Sequence, residues 1–246
     1  MIFRTKGEIE MIKVLASGSK GNCYLIQAEG EALLLECGIG WKKILSNLDY
    51  NIKNIKGCLI THEHKDHALA IKDIIKNSIN VYAPGSVFKK NNLEGTRKVT
   101  ILKDKDRFKV GNFNILAFAN NHTNTDGTEC ECLGYLIQHP KLGKILFSTD
   151  SYYIKYKFEK IDHFLIECNY SEDVIEDLEP YQKRLFKSHM SLETLKEFLK
   201  SNDLNTVKDI TLIHLSENNA DPERFKSEIE ALTGIPVYIA VSGLEI

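Results

Sequence analysis

The chain has 246 residues, of which 43% are hydrophobic and 27% charged, with a formal net charge of −2. That balance excludes a disordered chain and argues against a surface built to grip a long polyanion, since phosphate neutralisation by excess Lys and Arg supplies most of that affinity. No apolar run approaches the roughly 20 residues of a membrane span, and Met1 to Glu10 lacks the apolar stretch of a secretory signal, so a cytoplasmic protein that makes no use of a membrane is expected.

In chain order, residues 1–10 read as an N-terminal extension and 11–246 as one domain. Ile12–Ala16, Tyr24–Ala28 and Ala32–Glu36 are predicted strands, separated by Ser17-Gly18-Ser19-Lys20-Gly21-Asn22 and Glu29-Gly30-Glu31. Trp41–Leu48 carries helical spacing. Gly57–Thr61 is a short apolar strand, and Asp66–Lys76 reads as one helix with Ala68, Ile71, Ile74 and Ile75 on a face. Val81–Ala83, Val99–Leu102, Phe108–Val110 and Phe113–Ala119 continue the strands. Leu133–Gln138 and Lys144–Ser148 form a predicted hairpin, and Phe164–Glu167 is a further buried strand. A helix over Ser191–Leu199, capped by Ser191, precedes strand Asp209–His214, helix Pro222–Leu232 and strand Val237–Ala240. Strands followed by helix–strand alternation in each half fit an α/β fold of two mixed sheets packed face to face, with helices outside. The six cysteines, Cys23, Cys37, Cys58, Cys130, Cys132 and Cys168, mostly lie in apolar runs and read as buried reduced thiols. Cys130-Glu131-Cys132 lacks the spacing of a zinc knuckle.

The segment that carries chemistry is Thr61-His62-Glu63-His64-Lys65-Asp66-His67. His62 and His64, two apart at a strand end, point their imidazoles to one side and can share a metal. Asp66 and His67 follow where the chain turns into a helix, and the turn aims them at a second point nearby. Nitrogen and carboxylate donors without thiolate suit two divalent ions, Zn²⁺ first and Mn²⁺ or Fe²⁺ as alternatives.

This His-x-His-x-Asp-His pattern after a short apolar strand resembles the signature of the metallo-β-lactamase superfamily. Ser17-Gly18-Ser19-Lys20-Gly21-Asn22 resembles a loop of its YycJ-like branch, which has nuclease members. The resemblance implies the αββα sandwich of that superfamily. It also implies a third ligand for the first metal at His122, a bridging aspartate at Asp150 in Thr149-Asp150, and a last ligand for the second metal at His214. One residue departs from the pattern: Glu36 stands where the superfamily usually has Asp, which bears on how the metal loop is braced. His189, in Lys187-Ser188-His189-Met190-Ser191, resembles a histidine segment of the same branch. His139 and His163 have no such context and read as surface or structural.

A two-metal site with a bridging aspartate suits phosphodiester hydrolysis. In that reading Asp150 and Asp66 hold metal and orient the attacking water, and His189 gives the leaving oxygen its proton or contacts phosphate. Ser17, Ser19, Lys20 and Asn22 on the glycine-bearing loop, with Asn218 and its neighbour Asn219 after His214, are candidate substrate contacts. Two substrates compete. One is a small cyclic mononucleotide, as for the similar phage anti-Pycsar phosphodiesterases. The other is a DNA or RNA end, as for YycJ-like exonucleases and tRNase Z. The charge balance favours the small one, and about a hundred residues after Asp150 leave no room for the β-CASP insertion of longer nucleic-acid processors. Thioester or lactam hydrolysis on the same fold is a further reading, and a metal-free binding module is the non-enzymatic one. Met1–Glu10 and Glu172–Lys187 have no obvious core role, so a second copy of the chain closing the pocket, a homodimer, is also expected.

Overall fold

Three short apolar segments fold first into an antiparallel meander, β1 (Met11–Ala16), β2 (Cys23–Ala28) and β3 (Glu31–Leu35). Glu29 and Gly30, both at positive φ (49° and 75°), make the two-residue turn that matches the twist of the β2–β3 hairpin. From β3 the chain switches to parallel strands with helical crossovers: α1 (Trp41–Asn47), β4 (Ile55–Leu59), α2 (Lys65–Ala68), α3 (Ile71–Lys76), β5 (Val81–Ala83), α4 (Gly85–Lys90) and β6 (Val99–Ile101). Together they build a sheet of order β1-β2-β3-β4-β5-β6. The second sheet repeats the switch. β7 (Arg107–Val110), β8 (Phe113–Thr123), β9 (Glu129–His139) and β10 (Gly143–Ser148) are antiparallel. β11 (His163–Glu167), β12 (Asp209–Ile213) and β13 (Val237–Ile239) are parallel, with α5 (Leu192–Ser201) and α6 (Pro222–Thr233) between them. The computed structural model describes residues 10–124, 126–175 and 188–246. Residues 1–9 of the expected extension over 1–10, and residues 176–187 of the expected pocket-closing segment, lie outside them.

The alternation along β3 shows how the layers arise. Leu33 and Leu35 point inward with Tyr24, against Phe113, Tyr135, Phe147 and Leu165 of the second sheet. Leu34 points outward with Cys58 and Val81, under Ile44, Ile71, Ile74 and Phe88 of the helices. On the far side Leu146, Phe164 and Leu212 are covered by Leu195, Phe198, Phe225 and Ile229. The result is the expected αββα sandwich. Ser191 caps α5 by accepting from the Thr194 N–H, and Asp221 with Pro222 starts α6. Among the described residues no helix is long and apolar enough to cross a membrane.

Three expectations need correction. The helix expected over Asp66–Lys76 is two helices, because the Ala70 N–H donates to the Cys37 carbonyl at 2.9 Å instead of continuing the helical ladder. β8 and β9 extend past the predicted ends, pairing as far as Thr123 with Glu129, so His122 stands on a strand and not in a loop. α4 was not expected. It follows Pro84, whose extended backbone ends β5.

Candidate metal centre

Every chemistry-bearing residue of the sandwich emerges at one edge, where strands end. His62 and His64 follow β4, Asp66 and His67 open α2, His122 is near the end of β8, Asp150 follows β10 and His214 follows β12. Glu36, Asp150 and His214 each sit one or two residues past a strand in the left-handed backbone region, at φ 62°, 48° and 53°. Non-glycine residues adopt that region at a cost, and here it turns three polar side chains back over the strand ends.

The expected ligands converge as two groups, and a third, Asp150, Glu167, His189 and His214, shares a member with each. Ligating atoms of His62, His64, His122 and Asp150 lie within 4.8 Å of one another, as do those of Asp66, His67 and His214. Asp150 joins them. Its Oδ2 is 3.6 Å from His62 Nε2 and 3.9 Å from His122 Nε2. Its Oδ1 is 3.4 Å from His67 Nε2 and 3.6 Å from His214 Nδ1. Asp66 Oδ2 faces His67 Nε2 at 3.2 Å and His214 Nε2 at 3.6 Å.

Four of these five histidines are aimed by a hydrogen-bond partner on the other ring nitrogen, and His67 by a facing carboxylate. His62 Nδ1 meets Thr61 Oγ1 at 2.9 Å, and that hydroxyl donates onward to Glu36 at 2.6 Å. His64 Nε2 meets Asn124 Oδ1 at 3.0 Å, and His122 Nδ1 meets the Ser188 carbonyl at 3.0 Å. His67 Nδ1 lies 3.3 Å from Glu36, and His214 Nδ1 lies 3.0 Å from Glu167. This leaves Nε2 of His62, His67, His122 and His214, and Nδ1 of His64, turned to the centre. Such outer partners fix the tautomer and direction of metal-binding rings.

These donors fit divalent cations. His62 Nε2 and His214 Nε2 are buried with no hydrogen-bond partner among the described residues. An unsatisfied buried polar atom costs about 1–3 kcal/mol, a penalty that a coordinated cation removes. Burial pushes the Asp150 carboxyl upward, but the His214 and His67 rings outweigh it and hold it well below the usual carboxylate range. Burial pushes His214 down, yet Asp150, Asp66 and Glu167 lift it to about 10. Burial and the neighbouring His67 push His62 well down, leaving a neutral ring with a lone pair to give. The same concentration of carboxylates that retains protons on His214 and His67 attracts a metal ion in their place.

His189 joins the cluster. Its Nδ1 is 2.7 Å from Glu167 Oε1, and its ring stacks on His214 with centroids 5.3 Å apart. Two residues expected to touch substrate have bracing contacts in the loop. Ser17 Oγ accepts from the His214 N–H at 2.9 Å. Asn22 is fully buried, with its side chain on both polar groups of Gly18 and its N–H on the Asp66 carbonyl at 2.8 Å. Lys20 is exposed and paired with Glu217 at 2.7 Å. Ser19 and Asn218 are exposed. His163 pairs with Asp209 at 2.8 Å and His139 packs on Phe113, both away from the centre. Glu36, longer than the usual Asp, still reaches both Thr61 and His67.

Glu167 is the residue that sequence reasoning missed. It is buried, and it accepts from His189, His214 and the N–H groups of Ser151 (2.9 Å) and Met190 (3.2 Å). A carboxylate closing the buried run Phe164-Leu165-Ile166 was the available signal, since a buried charge needs partners. Beside His189 lies an open cleft of about 420 Å³, lined among the described residues by Thr123, Tyr152, Tyr170 and Thr194.

Comparison with known proteins agrees with this geometry. The description "Metallo-beta-lactamase superfamily" matches residues 16–150, more than half the chain. The chain is similar to exodeoxyribonuclease WalJ of Streptococcus pneumoniae, 25% identical over 227 residues and 84% of this chain and 81% of that one. It is also similar to ribonuclease Z of Archaeoglobus fulgidus, 25% identical over 48% of this chain and 42% of that one. Among solved structures, the metallo-beta-lactamase fold protein YhfI from Bacillus subtilis superposes with a TM-score of 0.74 at 17% identity, over 96% of this chain and 98% of that one. The matched residues, the sandwich and its edge of histidines and carboxylates together place this chain in the metallo-beta-lactamase superfamily, among hydrolases.

Proposed function

We propose that the protein is a two-metal phosphodiesterase acting on a nucleotide phosphodiester, with a small cyclic mononucleotide, opened to its monophosphate, as the leading substrate. The observation that carries the reading is Asp150, whose two oxygens each face a different group of ligand atoms. His62, His64 and His122 would hold one ion and Asp66, His67 and His214 the other, with Asp150 able to serve both. When bound, such ions (Zn²⁺, or Mn²⁺ or Fe²⁺) bring the pKa of a coordinated water down toward about 7 and offset charge on the phosphoryl oxygens.

The chain's own residues do the rest. Asp66 keeps part of its side chain open to solvent, 27% exposed, and is placed to accept a hydrogen bond from the attacking water. Glu167 fixes His189 through Nδ1, so Nε2 is the atom that delivers a proton to the leaving oxygen. The cleft beside His189, about 420 Å³, matches one small ligand better than a tracked strand, and the near-balanced charge agrees. The six free cysteines are all buried, which supports a reducing, cytoplasmic setting.

A second reading, hydrolysis from a DNA or RNA end, is supported by the similarity to WalJ across most of the chain. One comparison tests both. Metal-loaded protein is incubated with cyclic mononucleotides and with end-labelled oligonucleotides. Faster opening of the cyclic diester upholds the leading reading. Stepwise shortening of the oligonucleotides with the cyclic substrate untouched replaces it by the second. Inertness toward both sinks the phosphodiesterase assignment.

A further inference from the structure

The cleft beside His189 is walled by residues that each follow a residue of the centre closely in sequence. Thr123 comes one after His122, Tyr152 two after Asp150, and Tyr170 three after Glu167. Thr194 is in the first turn of α5, five after His189. A group bonded to a phosphorus beside His189 has these four side chains as its neighbours in the cleft. Of these, Tyr152 offers an exposed aromatic ring, Tyr170 is buried, and the Thr194 hydroxyl is hydrogen-bonded to Ser191. Among the described residues no Lys or Arg lines the cleft, and its one ionisable base is His189. A flat heteroaromatic ring would find both a stacking face and polar partners.

Tyr152 is the part of this wall that is both exposed and fixed. Its side chain reaches solvent while its backbone is held from two sides. The Tyr152 N–H donates to the Asn121 carbonyl at 3.1 Å, and Asn121 Nδ2 donates to the Tyr153 carbonyl at 2.9 Å. One residue earlier, the Ser151 N–H donates to Glu167 at 2.9 Å, the carboxylate that also orients His189 and His214. The backbone that carries the phenol ring thus belongs to the same bonded frame as the centre, and a platform whose backbone is already ordered gives up less freedom when a ligand stacks on it.

We infer that this cleft is a nucleobase subsite, with Tyr152 as the stacking platform that makes the centre prefer a nucleotide over a phosphodiester lacking a base. This rests on the phosphodiesterase reading and adds its specificity. Two measurements on the metal-loaded protein separate the two claims. The first is the ratio of kcat/KM for a ribose 3′,5′-cyclic nucleotide to kcat/KM for the same cyclic ribose phosphate without a base, which has no aromatic ring to stack. That ratio should fall about tenfold in Tyr152→Ala and be largely kept in Tyr152→Phe, which retains the ring. An unchanged ratio in Tyr152→Ala overturns the inference. The second is calorimetric binding of a nucleoside 5′-monophosphate against inorganic phosphate, which needs no turnover. The nucleotide should bind at least tenfold more tightly than phosphate, and that preference should collapse in Tyr152→Ala. Equal binding of the two to the unaltered protein overturns the subsite even if diesters are hydrolysed. A nucleotide preference lost in Tyr152→Ala, without turnover of any diester, keeps the subsite and rejects the phosphodiesterase reading.

Discussion

At the level of single residues, the histidines of the centre differ in what their loss should do. His64 has one nitrogen on Asn124 and the other 3.4 Å from His122 Nε2, so His64→Ala removes a donor from the first group. Metal analysis of that variant should show loss of one of two equivalents, and turnover should disappear. His189→Ala should keep both equivalents, with kcat lower by about 10²-fold or more, the usual worth of a positioned proton donor. Unaltered turnover in the His189 variant would remove it from the mechanism. Glu167→Gln keeps the shape and drops the charge that faces both His189 and His214. A loss of about 10- to 100-fold in metal affinity or rate is expected, measured by metal titration alongside kinetics. The candidate ligands were legible in the sequence, because His62, His64, Asp66 and His67 form a dense polar pattern that an apolar strand end rarely has. Glu167 was not, because its histidine partners lie 22 and 47 positions away and only the fold brings them together.

At the level of elements, the metal loop depends on a close approach that local sequence does not reveal. A Cβ at Gly38 would come 1.6 Å from the Asp66 carbonyl oxygen and 2.7 Å from the His67 nitrogen. The chain after β3 thus packs directly on the backbone that presents two ligands. Gly38→Ala should force that backbone away, with a destabilisation of at least about 1–3 kcal/mol and loss of metal from the second group. Gly85→Ala is the control, since its Cβ would meet nothing closer than 3.7 Å and a change of about 0.5 kcal/mol or less is expected. Thermal unfolding of the two variants decides it; equal midpoints would show that the approach is relaxed. The same packing explains the one long helix that the spacing suggested. Ala68, Ile71, Ile74 and Ile75 do share a helical period, but the Cys37 carbonyl takes the Ala70 N–H and breaks the run. The end of β8 was misjudged for a related reason. Asn120-Asn121-His122-Thr123 looks like a polar loop, yet Asn120 and His122 are buried at the centre and the ladder with β9 continues through them. Polarity there reports a site, not solvent.

At the scale of the whole molecule, the layering was legible because both sheets alternate cleanly between a shared core and a helix-covered face, as Leu33, Leu34 and Leu35 do. Charge is the property that the complete chain adds to the site, and it bears directly on substrate size. The net charge is −2, and Lys20, the cation on the loop between β1 and β2, is neutralised by Glu217. A protein that neutralises six to ten phosphates releases as many counterions, and loses roughly 10³–10⁵ in affinity between 50 and 200 mM salt. A ligand held by the centre and one aromatic cleft displaces far fewer. The affinity for a cyclic or linear mononucleotide should therefore fall by less than about tenfold over that range, read by calorimetry at several salt concentrations with metal kept saturating. A logarithmic slope as steep as that of a strand-tracking nuclease, seen with oligonucleotides that bind more tightly than any mononucleotide, would place the main contacts outside the cleft and favour the DNA- or RNA-end reading. A shallow slope with tight mononucleotide binding would leave the phosphoryl group and its base as the principal recognition elements, which is what the frame shared by Asp150, Glu167, His189 and Tyr152 predicts.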